Sequence, residues 1–277
     1  MAPKLRTKAD YDAVSGQMAS LKAGVIELMT RLGDVADEIV IVGGLAPVLL
    51  FTDAAVPPTG TMDVDFGLGV SLLSEERYQA LEDRLRAAGF KPDVNEKGNE
   101  THQRWTCDPS KGSVLVDLLM GPDGSGAKGG TVQHLTPRLA AYVIPGIELA
   151  HQDIERVRIS GPALNGGRAE REVAVCGPGA FVILKALAFV GRGEEKDAHD
   201  LIYVLECAGV SEVAKRIATF PDSESLLSAF EALRTDFSQA EGIGPERVAQ
   251  FRGTTAEAVR ADAAGRVREL LRKLDRV

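Results

Sequence analysis

The chain has few cysteines, few aromatics, no long uncharged apolar run and no excess of basic residues, and each shortage excludes a class of protein. Its three cysteines, Cys107, Cys176 and Cys207, lie far apart, form no CxxC pair and would leave one thiol over in any disulfide scheme. They read as reduced, mostly buried thiols and not as a disulfide framework. No stretch reaches the roughly 18 apolar residues that a membrane-spanning helix needs, and the opening MAPKLRTKADYDAV has no apolar core of signal-peptide length. This reading places the protein in the cytoplasm, with no membrane partner. Lys and Arg number 32 against 40 Asp and Glu, a formal net charge of −8. That balance excludes a general, sequence-independent binder of nucleic acid, which depends on many cationic contacts to phosphate, and leaves room for a local basic patch. His102, His134, His151 and His199 show no HExxH or other close ligand spacing, so neither a zinc site nor a histidine-based hydrolase is indicated. The single tryptophan, Trp105, reads as core or rim packing.

What remains is an ordinary globular mixture: 277 residues, 44% hydrophobic and 26% charged, enough for one large or two smaller domains. Apolar positions recur every three or four residues over 9–32 (Val14, Met18, Leu21, Val25, Leu28, Leu32), which predicts an amphipathic helix. The β-branched run at 38–42 stops at Gly43-Gly44 and passes into a short apolar segment at 45–50, a pattern of strand, glycine turn and helix. Pro47 is compatible with that helix in its first turn, where a missing N–H breaks no internal bond. Further strands are expected over 61–68, 102–107 and 113–120, a helix over 74–88, and a hairpin whose strands at 156–159 and 172–175 flank a polar turn. The glycine-rich stretch 121–130 reads as a loop, since it lacks the spacing of a phosphate loop. After Gly177-Pro178 the periodicity becomes helical, over 181–190, 197–206, 223–233 and 255–274, the last with a basic face. The expected organisation is an α/β domain with a mixed sheet over 1–177 and a helical domain over 178–277.

Three acids stand out against this background. Asp63 and Asp65 are two apart in a strand and project to the same side. Two carboxylates aimed at one place repel unless a cation or proton neutralises one of them. Asp117 sits inside Val116-Asp117-Leu118-Leu119-Met120, an apolar strand where an unpaired charge is hard to explain. Hard oxygen donors of this kind favour magnesium or manganese. The plain alternatives are surface acids at a strand end and a glycine turn required only by geometry. Asp117 favours the metal site.

Taken in order, Val42-Gly43-Gly44-Leu45-Ala46, Thr61-Met62-Asp63-Val64-Asp65-Phe66 and Val116-Asp117-Leu118-Leu119 resemble the three core motifs of the polymerase-β-like nucleotidyltransferase superfamily. The segments 181–188 and 191–201, with Lys185 and Lys196-Asp197-Ala198-His199-Asp200-Leu201, resemble its AbiEii-type branch, which includes toxin components of bacterial toxin–antitoxin systems. The resemblance implies that Gly43 and Gly44 meet the nucleotide phosphates, that Asp63, Asp65 and Asp117 carry Mg2+ or Mn2+, and that Lys185, with Asp200 or Asp197 as the helix acid, helps bind the NTP. Gly44 stands where many relatives carry serine, and Thr59 where many carry a basic residue, so one hydroxyl and one charge contact are absent. The implied reaction moves an NMP from an NTP to a hydroxyl of RNA, such as a tRNA 3′ end, of protein or of a small molecule. A cognate antitoxin is an implied partner, and a cleft between the domains the expected place for the NTP. The alternatives are a catalytically inactive nucleotide-binding or partner-interaction module, and a phosphohydrolase using the same acids. Without the resemblance, the Lys185, Arg192, Asp197 and Asp200 set reads as a solvated salt-bridge surface between domains, and His199 as a residue decorating a helix.

Overall fold

The computed structural model describes residues 9, 11, 18–69, 74–107, 114–122, 129–164 and 166–275. Two compact units are present. The described residues of the first lie within Val14–Leu50 and Gly60–Cys176; those of the second lie within Phe51–Thr59 and Gly177–Val277, together with Ala9 and Tyr11.

The first unit is α/β. In chain order it contains α1 (Met18–Leu32), β1 (Ile39–Val42), α2 (Leu45–Leu50), β2 (Asp63–Leu68), α3 (Glu75–Ala87), β3 (Phe90–Val94), β4 (Glu100–Cys107), β5 (Leu115–Met120), β6 (Val132–Thr136), β7 (Leu139–Val143), α4 (Ile147–Ala150), β8 (Ile154–Pro162) and β9 (Arg168–Cys176). The nine strands form one mixed sheet in the order β3-β4-β5-β2-β1-β9-β8, with β7 on β5 and β6 on β7. The pairs β1–β9, β2–β5 and β5–β7 are parallel, and the rest antiparallel. β5 changes neighbour along one edge: β4 pairs with it at 115–117, and β7 at Leu119 and Met120.

The sequence explains this arrangement strand by strand. All four residues of β1 are buried, as an unbroken Ile-Val-Ile-Val run requires of a strand enclosed on both faces. β2 instead alternates over its first four residues, and β5 buries Val116, Asp117 and Leu118 in succession. Val64, Phe66, Val116 and Leu118 are fully buried, and Asp63 and Asp65 on the other face are half-buried. Burying side chains such as Phe66 and Leu118 contributes roughly 1.5–3 kcal/mol each, and helix α1 packs against β2, β8 and β9. Of the helix expected over 9–32, Ala9, Tyr11 and 18–32 are described as helical, and 12–17, Val14 among them, lie outside the described residues. Pro47 is the third residue of α2, inside its first turn. α3 begins where the Ser74 side chain accepts from the Arg77 amide at 3.3 Å, and it carries Glu75 and Glu76 in its first turn and Arg84 and Arg86 near its end, in keeping with its dipole.

Three strands were not among those expected. β3 contains Pro92 and occupies an edge, where proline is tolerated, and β6 and β7 form a short hairpin attached to β5. The β8–β9 hairpin is present with nine residues in each strand, longer than the four-residue pieces read from the sequence. Residues 123–128 of the glycine-rich loop lie outside the described residues, as does Ser113, the first residue of one expected strand.

The second unit is helical: α5 (Pro178–Arg192), α6 (Glu195–Ala208), α7 (Val210–Ile217), α8 (Glu224–Ala232) running into a π-turn at Leu233–Phe237, α9 (Ile243–Phe251) and α10 (Glu257–Leu274). α7 and α9 are additional to the four helices expected. Phe189 and Phe237 meet edge to face with ring centroids 4.8 Å apart, and Val267 and Leu270 of α10 are fully buried. Tyr203 of α6 donates its hydroxyl to the Val56 carbonyl at 2.8 Å, tying Phe51–Thr59 into this unit. No described helix is long and apolar enough to cross a membrane.

Candidate functional site

Strand register gathers the acids of the first unit. Asp65 lies directly beside Asp117 across the parallel β2–β5 pair, Val42 beside Asp65 across β1–β2, and Arg104 beside Asp117 across β4–β5. Directly paired residues share a face, so these four form one row across the sheet. Asp63 lies two residues before Asp65 on the same face. Adjacent strands are about 5 Å apart, so the three carboxylates start from neighbouring positions.

Each acid has its own support. The Thr61 hydroxyl donates to Asp63 Oδ1 at 2.9 Å, and Thr61 is itself buried. Asp65 reaches under the turn that follows β1: a Cβ built on Gly43 would lie 1.8 Å from Asp65 Oδ2. Gly43 also has φ +65°, a conformation L side chains rarely adopt. Gly43 is therefore required twice, once for the turn and once to admit the Asp65 carboxylate. Asp117 is buried, and Arg104 grips it with both arms, Nε to Oδ1 at 2.6 Å and Nη2 to Oδ2 at 2.5 Å. The same Nη2 is 3.8 Å from Asp63 Oδ2.

Burial holds the Asp117 carboxyl above its ordinary value, a rise that Arg104 opposes without cancelling. Donation from Arg104 to both oxygens favours the ionised carboxylate. The guanidinium, for its part, is held more firmly protonated by its bonds to Asp117, against the cost of burial. Arg104 is the member of this row that the sequence alone does not single out. Its pairing depends on the β4–β5 register, a long-range property with no local signal.

The donors suit a hard divalent ion in chemical kind and in shared face. Among the described residues, however, no three acid, histidine or cysteine side chains converge on one point. Arg104 takes one lone pair on each Asp117 oxygen and stands 3.8 Å from Asp63, so an ion shared by the three carboxylates would have to compete with its guanidinium. On those terms Asp63, Asp65 and Asp117 fit Mg2+ or Mn2+.

The structure places Lys185, Asp197 and Asp200 in the second unit, in a network of their own. Lys185 Nζ lies 2.9 Å from Asp197 Oδ1 and 2.9 Å from Asp200 Oδ2; Arg192 binds both oxygens of Asp197 at 2.6 and 2.9 Å; Lys196 reaches Asp200 at 2.6 Å. Both helix acids therefore hold Lys185. Burial opposes charge on Asp200, yet Lys185 and Lys196 outweigh it and lower the carboxyl to about 2. Asp197 is likewise lowered against burial by Lys185 and Arg192. Burial also opposes charge on Lys185, and its two aspartates raise it above its ordinary value. This corrects the picture of a solvated surface between domains, because Lys185, Asp197 and Asp200 are all buried within one unit. His199 is likewise no surface decoration: it is buried, stacks on Phe251 at 4.7 Å and accepts from Arg252 at Nδ1.

The remaining expectations fall into place around these two clusters. Trp105 is fully buried beneath the Arg86 guanidinium, as packing requires. Thr59 is buried. Cys107 and Cys176 are buried and Cys207 partly so, all three unbridged. Among the described residues the basic face of α10 is engaged locally, with Arg266 on Asp262 and Arg268 on the Ser238 carbonyl. Comparison of the chain with protein-family models and with curated proteins finds no match.

Proposed function

We propose that the chain is a metal-dependent nucleotidyltransferase with a polymerase-β-like core, of the AbiEii-type branch that its motifs resemble. The observation that carries this reading is the row formed by Asp65, Asp117 and Arg104 across three adjacent strands, with Asp63 on the same face. A bound Mg2+ or Mn2+ would supply charge neutralisation and alignment for the α-phosphate of an NTP. Asp63, Asp65 and Asp117 would hold it. Asp117 would also accept the proton of the acceptor hydroxyl as its oxygen bonds to the α-phosphorus and the bond to pyrophosphate breaks.

Gly43 and Gly44, ending the strand beside Asp65, would let phosphate oxygens approach the backbone without a side chain in between. Gly43 has the added duty of seating Asp65. The part of Lys185 and Asp200 in binding the nucleotide rests on the resemblance alone. Their charges already satisfy one another, so a phosphate would have to share Lys185 with two aspartates. The acceptor in this reading is an RNA or protein hydroxyl, and a cognate antitoxin is the partner that the resemblance adds.

One observation favours a second reading, an inactive nucleotide-binding or interaction module: Arg104 holds both oxygens of Asp117. Incubating wild-type and Asp65→Ala protein with Mg2+, each α-labelled NTP in turn, and total bacterial RNA and protein separates the two. Label entering RNA or protein with wild type alone supports transfer and identifies the acceptor class. NTP binding with no label transferred to any acceptor favours the inactive module. Release of inorganic phosphate in place of pyrophosphate would point to hydrolysis.

A further inference from the structure

We infer that Arg104 is an exchangeable counter-cation, which keeps the acid row charge-compensated in the metal-free protein and yields Asp117 when a divalent ion binds. The inference rests on the reading of Asp63, Asp65 and Asp117 as a metal site, and adds to it a residue that sets the affinity of that site.

The geometry carries it. A divalent ion at this row would meet the Arg104 guanidinium, which takes one lone pair on each oxygen of Asp117, at 2.6 and 2.5 Å, and stands 3.8 Å from Asp63, so the two cations compete for the same carboxylates. Either Arg104 or Asp117 can give way in that competition, and the structure distinguishes them. Asp117 is short, its strand is paired on both sides by β2 and β4, and its side chain is 8% exposed. Arg104 hangs from a long stem and is 34% exposed, so its guanidinium has water to turn into. Its strand is also irregular at this point: the β3–β4 register shifts between Pro92, opposite Trp105, and Asp93, opposite Thr101. Arg104 therefore sits on the less regular strand of the pair.

Exchange of this kind has an affinity consequence. If most molecules hold Arg104 on Asp117, only the remainder can offer three carboxylates, and the apparent affinity for the ion falls by that fraction. Removing the guanidinium removes the penalty. The leaving Arg104 also remains beside the ion, a cation placed to meet the phosphate that enters with it.

The test is manganese binding, by electron paramagnetic resonance of free Mn2+ and by calorimetry, on the full chain in four forms: wild type, Arg104→Met, Arg104→Lys and Asp65→Ala. The expectation is that Arg104→Met binds Mn2+ roughly tenfold more tightly than wild type, that Arg104→Lys, which keeps the charge but loses the two-armed grip, falls between them, and that Asp65→Ala binds more weakly. The Mn2+-induced rise in melting temperature should follow the same order. If Arg104→Met fails to fold without metal, Arg104→Lys carries the comparison. Equal or weaker Mn2+ binding by the Arg104 variants, with wild-type binding still dependent on Asp65, would overturn the role given to Arg104 and leave the metal site standing. No Asp65-dependent Mn2+ binding in any form would overturn both.

Discussion

The two charged clusters of this chain use the same side-chain chemistry and differ in what water can reach. Around Lys185, two aspartates and three cations interlock, and the side chains of Lys185, Asp197 and Asp200 are all less than a tenth exposed. On the sheet face, one guanidinium serves Asp63 and Asp117, and Arg104 and Asp63 each keep about a third of their side-chain surface open, 34% and 32%. A sealed network resists exchange, because losing any partner strands a charge in a poorly solvated place. Arg104 and Asp63 keep water at hand, so Arg104 can leave the buried Asp117, 8% exposed, at moderate cost provided that another cation takes its place there. The difference teaches that, on the proposed reading, water access at Arg104 and Asp63 separates the cluster that would react from the one that braces the helical unit, even though the sequence motifs name both.

The most severe way to break the comparison is Lys185→Met. It should lower the stability of the second unit by about 3–5 kcal/mol, the cost of removing one member of a buried ion network, measured by urea denaturation. A loss below about 1 kcal/mol would show the network to be no more than a surface pair. Asp65→Asn probes the other cluster in the opposite currency: nucleotidyl transfer should fall at least about a hundredfold, while the melting temperature moves by only a few degrees. A variant that unfolds would mean that Asp65 is chiefly structural.

Gly43→Ala should cost about 1–3 kcal/mol through its positive φ alone, and transfer should fall with it, because the new methyl occupies the place of the Asp65 carboxylate. Retained transfer in a destabilised protein would confine Gly43 to the turn. The smallest effect is a pH dependence of the sealed cluster. Asp200 is lowered from 3.8 to about 2 in the folded chain, so its contribution is complete above 3.8 and is lost as pH falls toward 2. Lys185, being raised, contributes fully below its ordinary value of 10.5 and does not weaken on the acid side. Acid unfolding of the second unit should therefore concentrate below pH 3.8, and Lys185→Met should move its onset upward by about one pH unit.

What the sequence disclosed about this molecule was its local pattern. Ile39-Val40-Ile41-Val42 announces an enclosed strand, the alternation around Asp63 and Asp65 sets them on one face, and Asp117 is conspicuous among apolar neighbours. Elements whose character depends on distant partners were not legible. β3 carries a proline and is a strand because it lies at an edge, and β6 and β7 are short and stand as a hairpin on β5. Arg104 has no local signal, and only the β4–β5 register sets it against Asp117. The spacing of Lys185, Arg192, Asp197 and Asp200 was visible, and their burial was not, since it depends on how α5 and α6 pack with their neighbours.

Anomalous diffraction from crystals grown with Mn2+ and a non-hydrolysable NTP analogue tests most directly whether the open row is the reactive one. The predicted result is a manganese peak bonded to Asp65 and Asp117, with Arg104 withdrawn from Asp117. Crystals that bind the analogue yet show no manganese at this row, with Arg104 still on both oxygens of Asp117, would contradict it.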